Sequence, residues 1–128
     1  DGERGQTPFT PAVGVVLQLR ERLASVSAVG APALVARSAA LARGFRDSIS
    51  GLPFAIFPEN PSNALTALTP TDGRSAYDIY LRLKSEYGLF VTPNGGALRD
   101  RVFRVGHMGN LSPGQLAELS RALGEVSR

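Results

Sequence analysis

Phe103-Arg104-Val105-Gly106-His107-Met108-Gly109-Asn110 is the stretch on which the fold turns. Side chains alternate across a strand, so Phe103 and Val105 point one way and Arg104 the other. One face therefore looks into a core and the other carries a cation. An arginine near a strand end, beside a glycine-rich turn, presents a planar fork that matches a carboxylate bidentately. Gly106 and Gly109 permit positive φ and close backbone approach. A surface ion pair with an aspartate or glutamate would use the same fork.

The neighbouring elements follow from pattern and punctuation. Upstream, Val102–Val105 reads as a strand entered through Arg99-Asp100-Arg101. Before that turn, Leu89–Thr92 reads as a strand and Pro93-Asn94-Gly95-Gly96 as a loop. Ser75 and Asp78 form the frame of a capping box for a helix that ends near Tyr87, with Gly88 as a left-handed cap. Phe54–Phe57 and Ala64–Thr69 read as two strands joined by the turn chemistry of residues 58–63. Downstream, Ser112-Pro113-Gly114-Gln115 caps a last helix with Leu116, Leu119, Leu123 and Val126 on one face.

Two helices precede the strands. In residues 11–28, Val13, Val16, Leu19, Leu23 and Val26 recur at helical spacing. Thr10 is placed to cap this helix, with Pro11 at its first position. In residues 31–50, Leu34, Ser38, Leu41, Phe45 and Ile49 mark an inner face. Residues 1–10 read as an extended arm. The order is ααββαββα, which predicts an α+β domain: about four mainly antiparallel strands with helices packed on one face.

Composition narrows the function. The chain has 128 residues, 43% of them hydrophobic, which suits one domain with one core. No apolar run approaches the roughly 18 residues of a membrane span. Cysteine is absent, and His107 is the lone histidine, so no metal site is predicted. The net charge is +3, and only one of the fourteen basic residues, Lys84, is a lysine. The arginines are scattered without interleaved aromatics, which argues against a nucleic-acid face. His107 has no evident carboxylate to orient it, so it reads first as structural and only weakly as a site residue.

The stretch 103–110 resembles the Arg-Ile-Gly-His-Met-Gly pattern of class V pyridoxal-phosphate (PLP) aminotransferases, especially the alanine–glyoxylate (serine–pyruvate) and 2-aminoethylphosphonate groups. Gln6-Thr7-Pro8-Phe9-Thr10-Pro11 is similar to the segment that enters the family's interdomain helix. The resemblance runs from Gln6 to about Val126. It implies the small C-terminal domain of such an enzyme, with residues 1–30 as arm and interdomain helix, residues 31–128 as the domain, and the large PLP-binding domain absent. It implies further that Arg104 binds the substrate carboxylate. Thr10, and after it Thr7, would reach the PLP phosphate of a neighbouring subunit in a homodimer. Gly95 and Gly96 lie where the family places a turn near the active site, and they read equally as ordinary turn glycines. The family's catalytic lysine lies in the large domain; Lys84, mid-helix between Arg82 and Glu86, is a solvated lysine.

The reading is therefore a cytoplasmic aminotransferase fragment, inactive alone, moving an amino group from an amino acid or aminophosphonate to a 2-oxo acid. A stand-alone α+β module that binds a carboxylate also fits these residues. A helix that bridges domains leaves its apolar stripe uncovered in a fragment, so Val13 through Val26 are expected to be exposed or covered by another chain. The chain starts without methionine in a polar, Gly-rich segment. Sequencing the DNA upstream of Asp1 is expected to show an open frame encoding a long α/β domain with a lysine at a strand end. A start codon directly before Asp1 would leave the stand-alone module.

Overall fold

A computed structural model describes Gly5 and residues 9–128. The chain divides into two compact units, Asp1–Val35 and Ala36–Arg128. The first holds helix α1 (Val13–Val29) and the start of α2 (Ala31–Ser48). No residue of α1 is buried. Val13, Val16, Leu19 and Leu23 are each more than half exposed, and so are Val15 and Leu17 off the expected stripe.

The start of α1 differs from the sequence expectation. The helix begins at Val13, not Pro11, and its N-cap is Ala12 with no side-chain cap bond. Ala12 has φ −75° and ψ 63°, and Val13 N–H donates to the Pro11 carbonyl at 2.8 Å. That is an inverse γ-turn, and it takes up a donor that a Thr10 cap would have used.

The second unit is built on a four-stranded antiparallel sheet: β1 (Phe54–Ile56), β2 (Leu65–Pro70), β3 (Thr92–Pro93) and β4 (Phe103–Gly106). The spatial order is β1-β2-β4-β3. Registers pair Phe54 with Pro70, Leu68 with Phe103, and both Ala67 and Thr92 with Arg104. Pleating then puts Phe54, Leu68, Phe103 and Val105 on one face and Ala67, Thr92 and Arg104 on the other.

The first face is covered by α2, α3 (Ala76–Tyr87) and α4 (Pro113–Val126). Leu41, Phe45 and Ile49 of α2 meet Ile79 and Leu83 of α3, Leu116, Leu119 and Leu123 of α4, and Leu68 and Phe103 of the sheet. Phe54 and Phe103 pack edge to face, with centroids 5.7 Å apart, a favourable aromatic geometry.

Caps fix the helix ends, with one change from expectation. Ser112 and Gln115 form a complete capping box on α4. Ser75 accepts from Tyr77 N–H and Asp78 N–H, but its own hydroxyl donates to Asp100 at 2.9 Å. The acidic partner thus comes from the turn before β4 rather than from Asp78. Gly88 sits at φ 66° and closes α3, a conformation that glycine adopts without a Cβ penalty. That closure draws the Leu89 N–H back to the Leu83 carbonyl at 3.0 Å. Leu89–Thr92 is therefore not a strand. The chain reaches the sheet only at Thr92, and Pro93, with no N–H to donate, suits a short edge strand.

At the centre of this core, Phe103 is fully buried. Phe103→Ala is expected to cost about 3–5 kcal/mol, read as a lowered denaturation midpoint at unchanged m-value.

Candidate functional site

Arg104 leaves β4 on the face opposite Phe103 and Val105, between Ala67 of β2 and Thr92 of β3. The guanidinium is half-buried, and one Nη2–H reaches the Pro93 carbonyl at 3.3 Å. Its Nε is buried and has no hydrogen-bond partner. The ion pairs among the described residues are Arg74–Asp72, Arg82–Glu86 and Arg121–Glu125. None involves Arg104, so the surface ion pair that its sequence context also allowed is not formed there. A guanidinium with an unused donor is able to pair with an anion, and its planar fork suits a carboxylate.

His107 lies on the opposite side of the strand end and is fully buried. Its Nε2 is 2.8 Å from the Thr66 hydroxyl, and its ring stacks at a tilt on Phe45, centroids 5.4 Å apart. Thr66 in turn accepts from Arg46 Nε–H at 3.0 Å. That hydroxyl keeps both a second lone pair and its own proton for Nε2, while the ring's Nδ1 is buried without a partner. Desolvation by burial, and then the Arg46 charge, hold the His107 pKa below its ordinary value. This ring faces the core, where it contributes packing and a hydrogen bond.

Arg46 and Thr66 carry no local signal of this role in their sequence neighbourhoods. They are separated by 20 residues and Thr66 from His107 by 41. Only the β2–β4 register and the seat of α2 bring the three together.

The other predicted residues are dispersed. Thr10 is exposed and its hydroxyl caps nothing. Thr7 lies outside the described residues. Gly95 opens a single 3-10 turn, Gly96–Leu98, from an extended conformation, and Gly96 has φ 56°. Glycine is thus required by backbone shape at Gly96 but not at Gly95. Gly106 closes β4 and does not turn. Lys84 lies over the Phe90 ring, 5.7 Å from its centroid, as a surface cation on an aromatic. No group of three or more histidine, cysteine or acidic side chains among the described residues could hold a metal ion. No single helix among them is long and apolar enough to cross a membrane.

The chain matches known proteins over most of its length. It is 33% identical to the 2-aminoethylphosphonate–pyruvate transaminase of Pseudomonas fluorescens over 129 aligned residues, covering 97% of this chain and 34% of that protein. It is 28% identical to the soluble hydrogenase small subunit of Synechococcus sp., covering 85% of this chain and 29% of that one. Its fold matches the crystal structure of the alanine–glyoxylate aminotransferase of Nostoc sp. with a TM-score of 0.88 at 24% identity, over 96% of this chain and 33% of that chain. The chain thus spans about a third of the length of the proteins it matches. No family profile matches it.

The buried ring generates a pH dependence that the chain alone should display. The unfolded chain takes up a proton near the ordinary histidine value of about 6.5. Folded His107 resists protonation, so stability is full above that pH and is lost as pH falls towards the lowered folded value. The slope is at most ~1.4 kcal/mol per pH unit. His107→Gln is expected to remove this slope from denaturation curves recorded between pH 7.5 and pH 5. An unchanged slope would mean that another group carries it.

Proposed function

We propose that this chain, a homologue of the 2-aminoethylphosphonate and alanine–glyoxylate aminotransferases, supplies the carboxylate-binding strand of a PLP-dependent aminotransferase. The observation that carries the reading is Arg104: half-buried, on the sheet face opposite Phe103, with its Nε unpartnered. The substrate is an amino acid or aminophosphonate on one side and a 2-oxo acid on the other. Arg104 donates two N–H bonds to the substrate's carboxylate, or to the phosphonate of an aminophosphonate, which fixes the direction of the substrate and so the position of its reacting carbon.

The residues present suit PLP in part. Thr10 carries an exposed hydroxyl that no helix cap consumes, as a phosphate donor requires. In the intact enzyme Thr10 reaches the phosphate bound by a neighbouring subunit, which makes the enzyme a homodimer. PLP supplies the electron sink through which the amino group passes between substrates. The lysine that moves the proton comes from a large domain preceding this chain, because Lys84 sits on an exposed aromatic of the small unit. The chain alone turns over no substrate. The amino donor is read by residues of that other domain, so alanine, serine and 2-aminoethylphosphonate all suit Arg104's half of the site. The enzyme is cytoplasmic.

In the assembled enzyme, Arg104→Lys keeps the charge and loses the fork. It is expected to raise the KM for the 2-oxo acid by about 10- to 100-fold, the range for one lost charge-assisted hydrogen bond. An unchanged KM would remove Arg104 from the substrate site. Thr10→Val is expected to weaken PLP binding by about fivefold, one ordinary hydrogen bond, with KM for substrate little altered. Equilibrium titration of the apoenzyme with PLP measures it.

A further inference from the structure

Arg46, Thr66 and His107 touch no part of the carboxylate site, yet they converge on one end of the strand pair that carries it. Leu65 pairs with Gly106 and Thr66 with Val105. His107 N–H extends this pairing by donating to the Ala64 carbonyl at 2.8 Å. Arg46, reaching from α2, donates to the Thr66 hydroxyl, to the Ser62 carbonyl and, at 3.4 Å, to the Leu65 carbonyl. The fastened end lies two residues beyond Arg104, which pairs with Ala67.

We propose that Arg46, Thr66 and His107 are positioning residues for Arg104: they hold β2 and β4 in the one register that keeps its guanidinium on the face opposite Phe103. The proposal rests on the reading of Arg104 as the carboxylate receptor. Register is the quantity that matters, because a slip of one residue sends every side chain of a strand to the other face. Arg104 would then point into the core, where its charge has no partner.

The Thr66 hydroxyl is the middle of the device. It accepts from Arg46 Nε–H and is bonded to His107 Nε2 at 2.8 Å, so one hydroxyl ties α2, β2 and the end of β4 together. Protonated, the ring becomes a second cation, buried beside Arg46, and the two charges repel. The groups around the ring are Phe45 and Arg46 from α2 and Thr66 from β2. Arg46 is the charged group whose field reaches the ring. Protonation of His107 therefore loosens the fastening and, through it, Arg104.

The test uses the isotope-labelled 128-residue chain and the Arg104 Nε–H resonance, without ligand. In Thr66→Val, shown to be folded by its dispersed amide spectrum, exchange of that proton with water should quicken by about fivefold, the opening ratio for one lost hydrogen bond. Thr66→Ser should restore it, since it keeps the hydroxyl. In the unmodified chain the Arg104 resonance should shift with the midpoint of the His107 ring titration, and in His107→Gln it should stay flat. A folded Thr66→Val with unaltered Arg104 exchange overturns the proposal. So does an Arg104 resonance that ignores the titrating ring, a measurement that needs no variant if Thr66→Val fails to fold. Adding pyruvate afterwards separates the two readings. An Arg104 resonance indifferent to pyruvate overturns the carboxylate reading, while the ligand-free exchange still decides the positioning role.

Discussion

The antiparallel pairing of Leu65–Leu68 with Phe103–Gly106 is the constraint from which the second unit follows. Pleating alone gives this pair two unlike faces. One presents Leu68, Phe103 and Val105, which three helices then cover. The other presents Arg104 over Ala67 and Thr92. The core and the candidate site are thus the two sides of one strand. Packing that fixes Phe103 also fixes where Arg104 points.

Much of this was legible because it is written in short-range chemistry. The alternation of Phe103, Arg104 and Val105 told the two faces apart. Ser112 with Gln115, and Gly88 after Tyr87, marked helix ends that the structure reproduces. The chain belongs to the α+β class with the expected order of helices and strands. What failed was decided by single hydrogen bonds, some between near neighbours and some across the fold. The γ-turn at Ala12 moved the start of α1 and released Thr10 from capping. The return of Leu89 N–H to Leu83 shortened β3. Asp100 replaced Asp78 beside Ser75 because a distant turn arrives there in the fold. Arg46 and Thr66 were invisible for the same reason: their meeting with His107 is long-range.

The preference for arginine over lysine also finds a physical account. Five arginines use their forks on backbone carbonyls: Arg37 on Leu111, Arg46 on Ser62 and Leu65, Arg74 and Arg82 on Val126, and Arg104 on Pro93. A rigid fork with several donors can bridge elements in this way, where a flexible ammonium holds less well. Carbonyls carry no formal charge, so such cations need no matching carboxylates, in keeping with a net charge of +3. Arg104 differs from the other four in retaining a buried Nε with no partner.

The bare flank of α1 has a consequence for how variation in this chain would be scored. Valines and leucines that already face water lose little transfer free energy when a polar residue replaces them. A mutational scan that counts folded molecules would therefore record Val16 and Leu19 as neutral and Phe103 as intolerant. A scan that counts growth of an organism dependent on the assembled protein would rank the same positions by whatever surface comes to lie against the helix. Disagreement between the two maps, residue by residue along α1, would draw the outline of that surface without a structure of the complex.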